Sequence, residues 1–221
     1  MDRLTLEEDG FAVPFEEIKR LLECLEYANK YRIALTIIAL TGCRISELNN
    51  MGTKSFYGDF LMWKTGKNQK GYRKEKLPNW FLIELSEYLL KNQHSYNNLF
   101  NFKGERLRDL INKDLRPLLK GDWLIKKIKP SKKGAIREEY VFQLKGLRHS
   151  FATLDFYNKF LKWGGTVAVE FTCKRMKHSS YKMTAGHYIG NFKRLNVEKY
   201  KYKEIADILK NATQTRLGEF I

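Results

Sequence analysis

The chain of 221 residues contains only three cysteines, Cys24, Cys43 and Cys173, with no CxxC spacing and no histidine partnered to them. That pattern excludes a disulfide framework and a cysteine-ligated zinc, and fits small buried residues in a reducing compartment. Long apolar runs are missing as well. The longest stretch, Ile33 to Leu40, is far too short for a bilayer, which needs about 20 residues. Residues 1–13 are acidic and carry no apolar run of a secretory leader. Asp, Glu and His form no dense cluster, so the sequence offers no carboxylate set for the magnesium of a metal-dependent nuclease. Repeats and low-complexity tracts are absent too.

Positive charge, by contrast, is in excess. Lys and Arg number 41 against 25 Asp and Glu, a net charge of +16. Such a field attracts polyanions and speeds their encounter, and nucleic acid is the commonest such partner. On charge alone, a ribosome-associated or merely basic protein is the plainer reading. Hydrophobic residues make up 43% of the chain, enough for a core at this length. One well-cored domain, or one domain with an arm, is therefore expected.

The chain reads in order as follows. Residues 1–13 look like an arm or the end of a linker, stopping before Pro14. Phe15, Ile18, Leu22 and Leu25 recur at helical spacing, with Pro14 suited to a first helical turn. Tyr31 to Leu40 predicts a buried helix, interrupted by Gly42. From Ser55 to Leu77 the pattern becomes alternating and aromatic-rich, punctuated by Gly58-Asp59 and Gly66–Gly71, which predicts a small antiparallel sheet with a basic turn. Pro78 opens a helix with Phe81, Leu85, Tyr88 and Leu89 on one face, and a further helix is expected over Glu105–Lys120. Trp123–Phe142 reads as two short strands around Pro130-Ser131-Lys132-Lys133-Gly134. This basic hairpin suits either a solvated loop or a DNA-contacting finger. Helices are expected over Lys145–Leu161 and Thr166–Lys177, broken by Gly164-Gly165, and a last one over Val197–Asn211. The fold class is mainly α with a small antiparallel β-sheet.

Five short motifs carry the candidate chemistry. Arg44 lies in Thr41-Gly42-Cys43-Arg44-Ile45-Ser46-Glu47-Leu48, and Lys64 in Lys64-Thr65-Gly66-Lys67. Lys145-Gly146-Leu147-Arg148-His149 holds the second arginine. His178 begins His178-Ser179-Ser180-Tyr181-Lys182-Met183-Thr184, and Tyr188 follows. Each alone has a bland reading: a surface arginine, a solvated turn lysine, one of twelve tyrosines. A guanidinium fork, however, grips two phosphate oxygens at once, and Glu47 is placed to fix the Arg44 fork from behind. Spacing of i, i+3 puts Lys145 and Arg148 on one helical face, within reach of one anion.

In this order the motifs resemble the catalytic domain of the tyrosine recombinases, the group of phage and archaeal integrases and chromosome-dimer resolvases. The resemblance runs from residue 14 to about 195. It implies a catalytic domain over 14–195, preceded by the 1–13 arm and followed at 196–221 by a C-terminal helix that docks on a neighbouring protomer. The chain is then a catalytic fragment or a minimal recombinase. The implied catalytic set is Arg44, Lys64, Lys145, Arg148, His178 and Tyr188, supported by Glu47 and His149. Lys67 and Lys70 compete with Lys64, which is the residue preceding the Thr-Gly turn. Lys145 stands where histidine is commoner, similar to integrases of spindle-shaped archaeal viruses. Met176-Lys177-His178 replaces the usual Leu-Gly-His. The family usually sets its nucleophile nine residues after the histidine, whereas Tyr188 is the tenth. One extra residue rotates a helical side chain by about 100°, so either a loop absorbs it or catalysis is impaired.

The resemblance further implies that Tyr188 attacks a phosphodiester of double-stranded DNA, with no metal, ATP or other cofactor. Self-association on DNA, no membrane contact and an intracellular location are expected with it. Two alternatives stay open: a DNA-binding regulator on the same scaffold, and a relaxing enzyme like type IB topoisomerases. Whichever holds, binding dominated by phosphate contacts releases counterions. Affinity for duplex DNA is expected to fall roughly 10³-fold between about 50 and 200 mM salt for about six contacts. Fluorescence anisotropy across that range checks this, and a flat response would remove DNA as the main ligand.

Overall fold

The computed structural model describes residues 12–65, 71–92, 98–100, 104–115, 125–130, 136–141, 143–178, 181 and 191–210. Helix α1 (Phe15–Glu23) starts after Pro14, whose carbonyl accepts from the backbone N–H groups of Glu17 and Ile18. Phe15, Ile18, Leu21 and Leu22 are buried at the spacing of one helical face. Helix α2 (Lys30–Thr41) is capped by the Asn29 side chain and is buried from Arg32 to Thr41. A helix apolar all round belongs at the centre of a core, and α2 is packed by α1, the helix over Asn79–Lys91 and the long helix beginning at Lys145.

Gly42 ends α2 with φ +60°, the left-handed region that favours glycine. A Cβ at this position would stand 2.7 Å from Phe151 Cδ1 and 3.1 Å from Met176 Cε. The backbone leading into the first arginine motif is thus pressed directly against two later elements. A single turn, α3 (Ile45–Leu48), follows.

Strands β1 (Phe56–Tyr57), β2 (Phe60–Lys64) and β3 (Tyr72–Lys76) form an antiparallel sheet in that order. Helix α4 (Asn79–Lys91) buries Phe81, Glu84, Leu85 and Tyr88. Helix α5 (Gly104–Leu110) widens into a π-helical turn at Ile111–Leu115. Strands β4 (Ile125–Pro130) and β5 (Ile136–Val141) pair antiparallel, and residues 131–135 between them, with the basic Lys132 and Lys133, lie outside the described residues. Helix α6 (Lys145–Trp163) turns at Gly164, φ +81°, into α7 (Gly165–Met176). The mainly helical architecture with its small antiparallel sheet is the one expected from the sequence.

The C-terminal part departs from expectation. Instead of one helix over 197–211, the chain forms α8 (Phe192–Leu195), a 3₁₀ turn at Val197–Tyr200 and α9 (Ile205–Leu209). Tyr202 takes φ +60° between them. Asn158 of α6 explains the break: its side chain accepts from the Tyr202 N–H at 2.9 Å and donates to the Lys203 carbonyl at 2.9 Å. A tertiary partner thereby replaces helical hydrogen bonds. Val197, Tyr200, Ile205, Ile208 and Leu209 join the main core, with α9 against α1 and α2. Residues 1–11 and 211–221 lie outside the described residues. Among the described residues, no helix is long and apolar enough to cross a membrane.

A buried ion pair joins the first helices. Arg32 Nε meets Glu84 Oε1 at 2.6 Å, with the two side chains 4% and 0% exposed. Arg32 also donates to the Leu22 carbonyl, and Glu84 accepts the Ala28 N–H at 3.1 Å. Removing one partner of such a pair strands a buried charge, so Glu84→Ala is expected to cost about 3–5 kcal/mol. Equilibrium urea unfolding measures this, and a loss under about 1 kcal/mol would mean that water reaches Arg32.

Candidate active site

The first arginine motif is built around a buried carboxylate. Arg44 is the N-cap of α3, and Glu47, three residues on, reaches back to it. Glu47 accepts the Arg44 backbone N–H on Oε2 at 2.9 Å and the guanidinium on Oε1 at 2.9 Å. A further bond comes from Trp63 Nε1 at 3.1 Å. Burial by itself would raise the Glu47 pKa, but the bonds from Arg44 and Trp63 outweigh it and hold the carboxyl below its usual range. Glu47 therefore stays ionised and pins Arg44, whose side chain remains 37% exposed against 1% for Glu47.

Arg148 lies one turn into α6 and is buried. One terminal nitrogen donates to the Gly42 carbonyl and the other to the Met176 carbonyl at 2.6 Å. The second guanidinium is thus anchored where the C-terminal ends of α2 and α7 meet. His149, next to it, is half-buried, and Lys145 is exposed at the first position of α6.

His178 follows α7 directly. Its backbone N–H bonds to the Cys173 carbonyl at 3.0 Å, and the Cys173 thiol donates to its carbonyl at 3.3 Å. Lys177, at the position where the family pattern has glycine, takes φ +52°. Lysine therefore keeps the left-handed backbone that glycine adopts freely, at roughly 1 kcal/mol of strain. Burial, reinforced by the positive charges of Arg148, Arg44, His149 and Arg73, drives the His178 pKa down to about 3. The imidazole is neutral, set among cations.

Lys64 ends β2, exposed and paired in register with Tyr72. The hairpin closes through the Thr65 N–H to the Gly71 carbonyl at 3.0 Å. Lys67, Lys70 and the expected nucleophile Tyr188 lie outside the described residues.

Two residues of the site escaped the sequence reading. Arg73 of β3 is 4% exposed and donates to the Thr41 carbonyl at 2.5 Å and the Gly42 carbonyl at 3.3 Å. Its cross-strand neighbour Trp63 lies 4.8 Å below the guanidinium. A signal existed: strand period two puts Arg73 and Glu75 on one face of an otherwise lysine-bearing strand, opposite Trp63 and Leu61.

Arg148, Arg44, His149 and Arg73 all act electrostatically on the neutral His178 imidazole, so the separate motifs converge on one cationic cluster. Such an array suits a phosphate oxyanion. Solved structures of similar shape include XerA recombinase (TM-score 0.56, 20% identity, 90% of this chain) and the catalytic domain of bacteriophage HP1 integrase (TM-score 0.50, 20% identity, 85% of this chain). XerH recombinase bound to its palindromic difH substrate is similar as well (TM-score 0.55, 18% identity, 90% of this chain). The fold is that of a tyrosine recombinase catalytic domain. The chain spans 66% of XerA recombinase and 55% of XerH, but 96% of the HP1 integrase catalytic domain. By sequence, no family model and no curated protein matches it.

The His178 environment has a measurable consequence. A histidine in an unfolded chain titrates near 6.5, whereas His178 holds out to about 3. Its contribution to stability is complete above pH 6.5 and is lost as the pH falls from there toward 3, because only the unfolded chain takes up the proton. NMR of the imidazole should show no protonation at pH 5, and His178→Gln should flatten the loss of stability in that window. A midpoint near the ordinary value would contradict the cationic cluster.

Proposed function

We propose that the chain is a site-specific DNA recombinase of the tyrosine type, cutting and rejoining double-stranded DNA through a 3′-phosphotyrosine. The observation that carries the reading is the convergence of Arg44, Arg148 and the neutral His178 within a recombinase catalytic fold. Tyr188 attacks the phosphorus, releasing a free 5′-hydroxyl. Arg44 and Arg148 stabilise the charge of the pentacoordinate transition state, the electrostatic effect that dominates such sites. Their anchoring by Glu47 and by the Gly42 and Met176 carbonyls supports this role, since preorganised donors need no rearrangement during reaction. His178, being neutral, contributes a hydrogen bond rather than a charge. Lys64 protonates the leaving 5′-oxygen, with Lys145 assisting. The covalent intermediate conserves the energy of the broken bond, so rejoining needs neither ATP nor a metal. A partner strand's 5′-hydroxyl reverses the attack, which calls for two or four protomers assembled on DNA inside the cell.

The tenth-residue spacing from His178 to Tyr188 favours a second reading, a DNA-binding regulator that has lost cleavage on the same scaffold. Incubation with a nicked duplex separates the two. The recombinase forms a covalent adduct that maps to Tyr188, and Tyr188→Phe abolishes it while DNA binding survives. Lys64→Ala should slow adduct formation by roughly 10²–10⁴ and recover on a 5′-bridging sulfur substrate, whose thiolate leaves without a proton. No adduct would favour the regulator, and an adduct on Tyr181 would reassign the nucleophile.

A further inference from the structure

The two residues that complete the site from the sheet side are partners across one hairpin. Trp63 and Arg73 face each other in the β2–β3 register, one residue before Lys64 and one after its partner Tyr72. Both are buried, at 3% and 4% exposure, and the guanidinium lies 4.8 Å from the indole centroid. From this stack two separate hydrogen-bonded lines leave. Trp63 Nε1 donates to Glu47, whose other oxygen holds the Arg44 guanidinium. Arg73 donates to the Thr41 and Gly42 carbonyls, and the Gly42 carbonyl is also the acceptor for Arg148. A third bond, 3.1 Å to Glu75, orients Arg73.

We infer that Trp63 and Arg73 are a positioning pair by which the sheet orients both arginines of the site, Trp63 acting through Arg44 and Arg73 through Arg148. The inference rests on the function proposed above for its catalytic readout, and on the hydrogen-bond geometry alone for its structural one. Both side chains are buried beneath the arginines they serve. Their effect is exerted through the pointing of the two guanidinium groups, and misplacing a catalytic group by about 1 Å costs as much as 10²-fold in rate.

The physical content is a prediction of dependence. If Trp63 works only by orienting Arg44 through Glu47, removing its N–H matters while Arg44 is present and not once Arg44 is gone. Residues acting as one unit are non-additive, whereas independent losses multiply. A general loss of fold stability would slow every variant alike.

The test is single-turnover cleavage of a nicked duplex by the full chain. Trp63→Phe and Arg73→Lys are each expected to slow cleavage about tenfold with DNA affinity unchanged. The slowing should be the same on the 5′-bridging sulfur substrate, because charge stabilisation, not proton donation, has been lost. Trp63→Phe added to Arg44→Ala, and Arg73→Lys added to Arg148→Ala, should cause no further loss. Should Trp63→Phe fold poorly, benzothienylalanine at position 63 keeps the bicyclic ring and deletes only the N–H. Full multiplication of the effects, or rescue of either single variant by the sulfur substrate, would overturn the inference. If the wild-type chain forms no adduct, the proposed function fails and NMR decides the pair on its own. The Arg44 guanidinium N–H signal, ordered in the wild type, should broaden in the Trp63 variants, and an unchanged signal would overturn the positioning role.

Discussion

One carbonyl organises the site. The Gly42 oxygen, at the end of α2, accepts hydrogen bonds from Arg73 of the sheet and Arg148 of α6. Two guanidinium groups would repel each other if left to a low-dielectric interior. They converge here because the exposed carbonyls at a helix C-terminus carry partial negative charge and lack helical partners. Thr41 and Met176 supply further carbonyls of the same kind. The ends of α2 and α7 thus satisfy the cations of the candidate site, and the cations satisfy helix ends that would otherwise be buried without partners.

The remaining charges form a second layer that ties the sheet to the helices. Glu75 of β3 takes Arg73 on one side and the two-pronged Arg175 of α7 on the other, at 3.0 and 2.5 Å. Arg175 continues to Asp155 of α6 while lying 4.8 Å over the Phe151 ring. Asp155 also takes Lys159 and the Thr172 hydroxyl. Buried charges of this kind are weak evidence for stability, because desolvation offsets most of their attraction. Their geometric demands are strict, however. Each has a small set of acceptors in fixed directions, so the network sets one relative placement of β3, α6 and α7. The aromatic face of Phe151 belongs to the same arrangement, since it is the surface that leaves no room for a Cβ on Gly42.

What the sequence by itself determined was the set of elements with strong local patterns. Continuous apolar residues specified α2, period two specified β2 and β3, and Gly164 specified the break between α6 and α7. The order of the arginine, lysine and histidine motifs pointed to the recombinase fold. Spacing also placed Glu47 behind Arg44, because an N-cap residue and the third helical residue meet in any capping arrangement. Such features depend on neighbours within a few positions, and local chemistry decides them.

Tertiary structure alone decided the rest. The helix expected after residue 197 was divided because Asn158, some 45 positions away in sequence, offers its amide to Tyr202 and Lys203. Nothing in the local run of lysines and tyrosines announces that partner. Lys177 holds a left-handed backbone that its own side chain disfavours, kept there by the packing of α7 and the bond from His178 to Cys173. Strand period two puts Arg73 on the face of Trp63, but only the packing of the sheet brings it to the Gly42 carbonyl. Each of these outcomes needs two segments distant along the chain to be brought within hydrogen-bond reach, and no pattern of adjacent residues encodes which distant carbonyl or amide will be there.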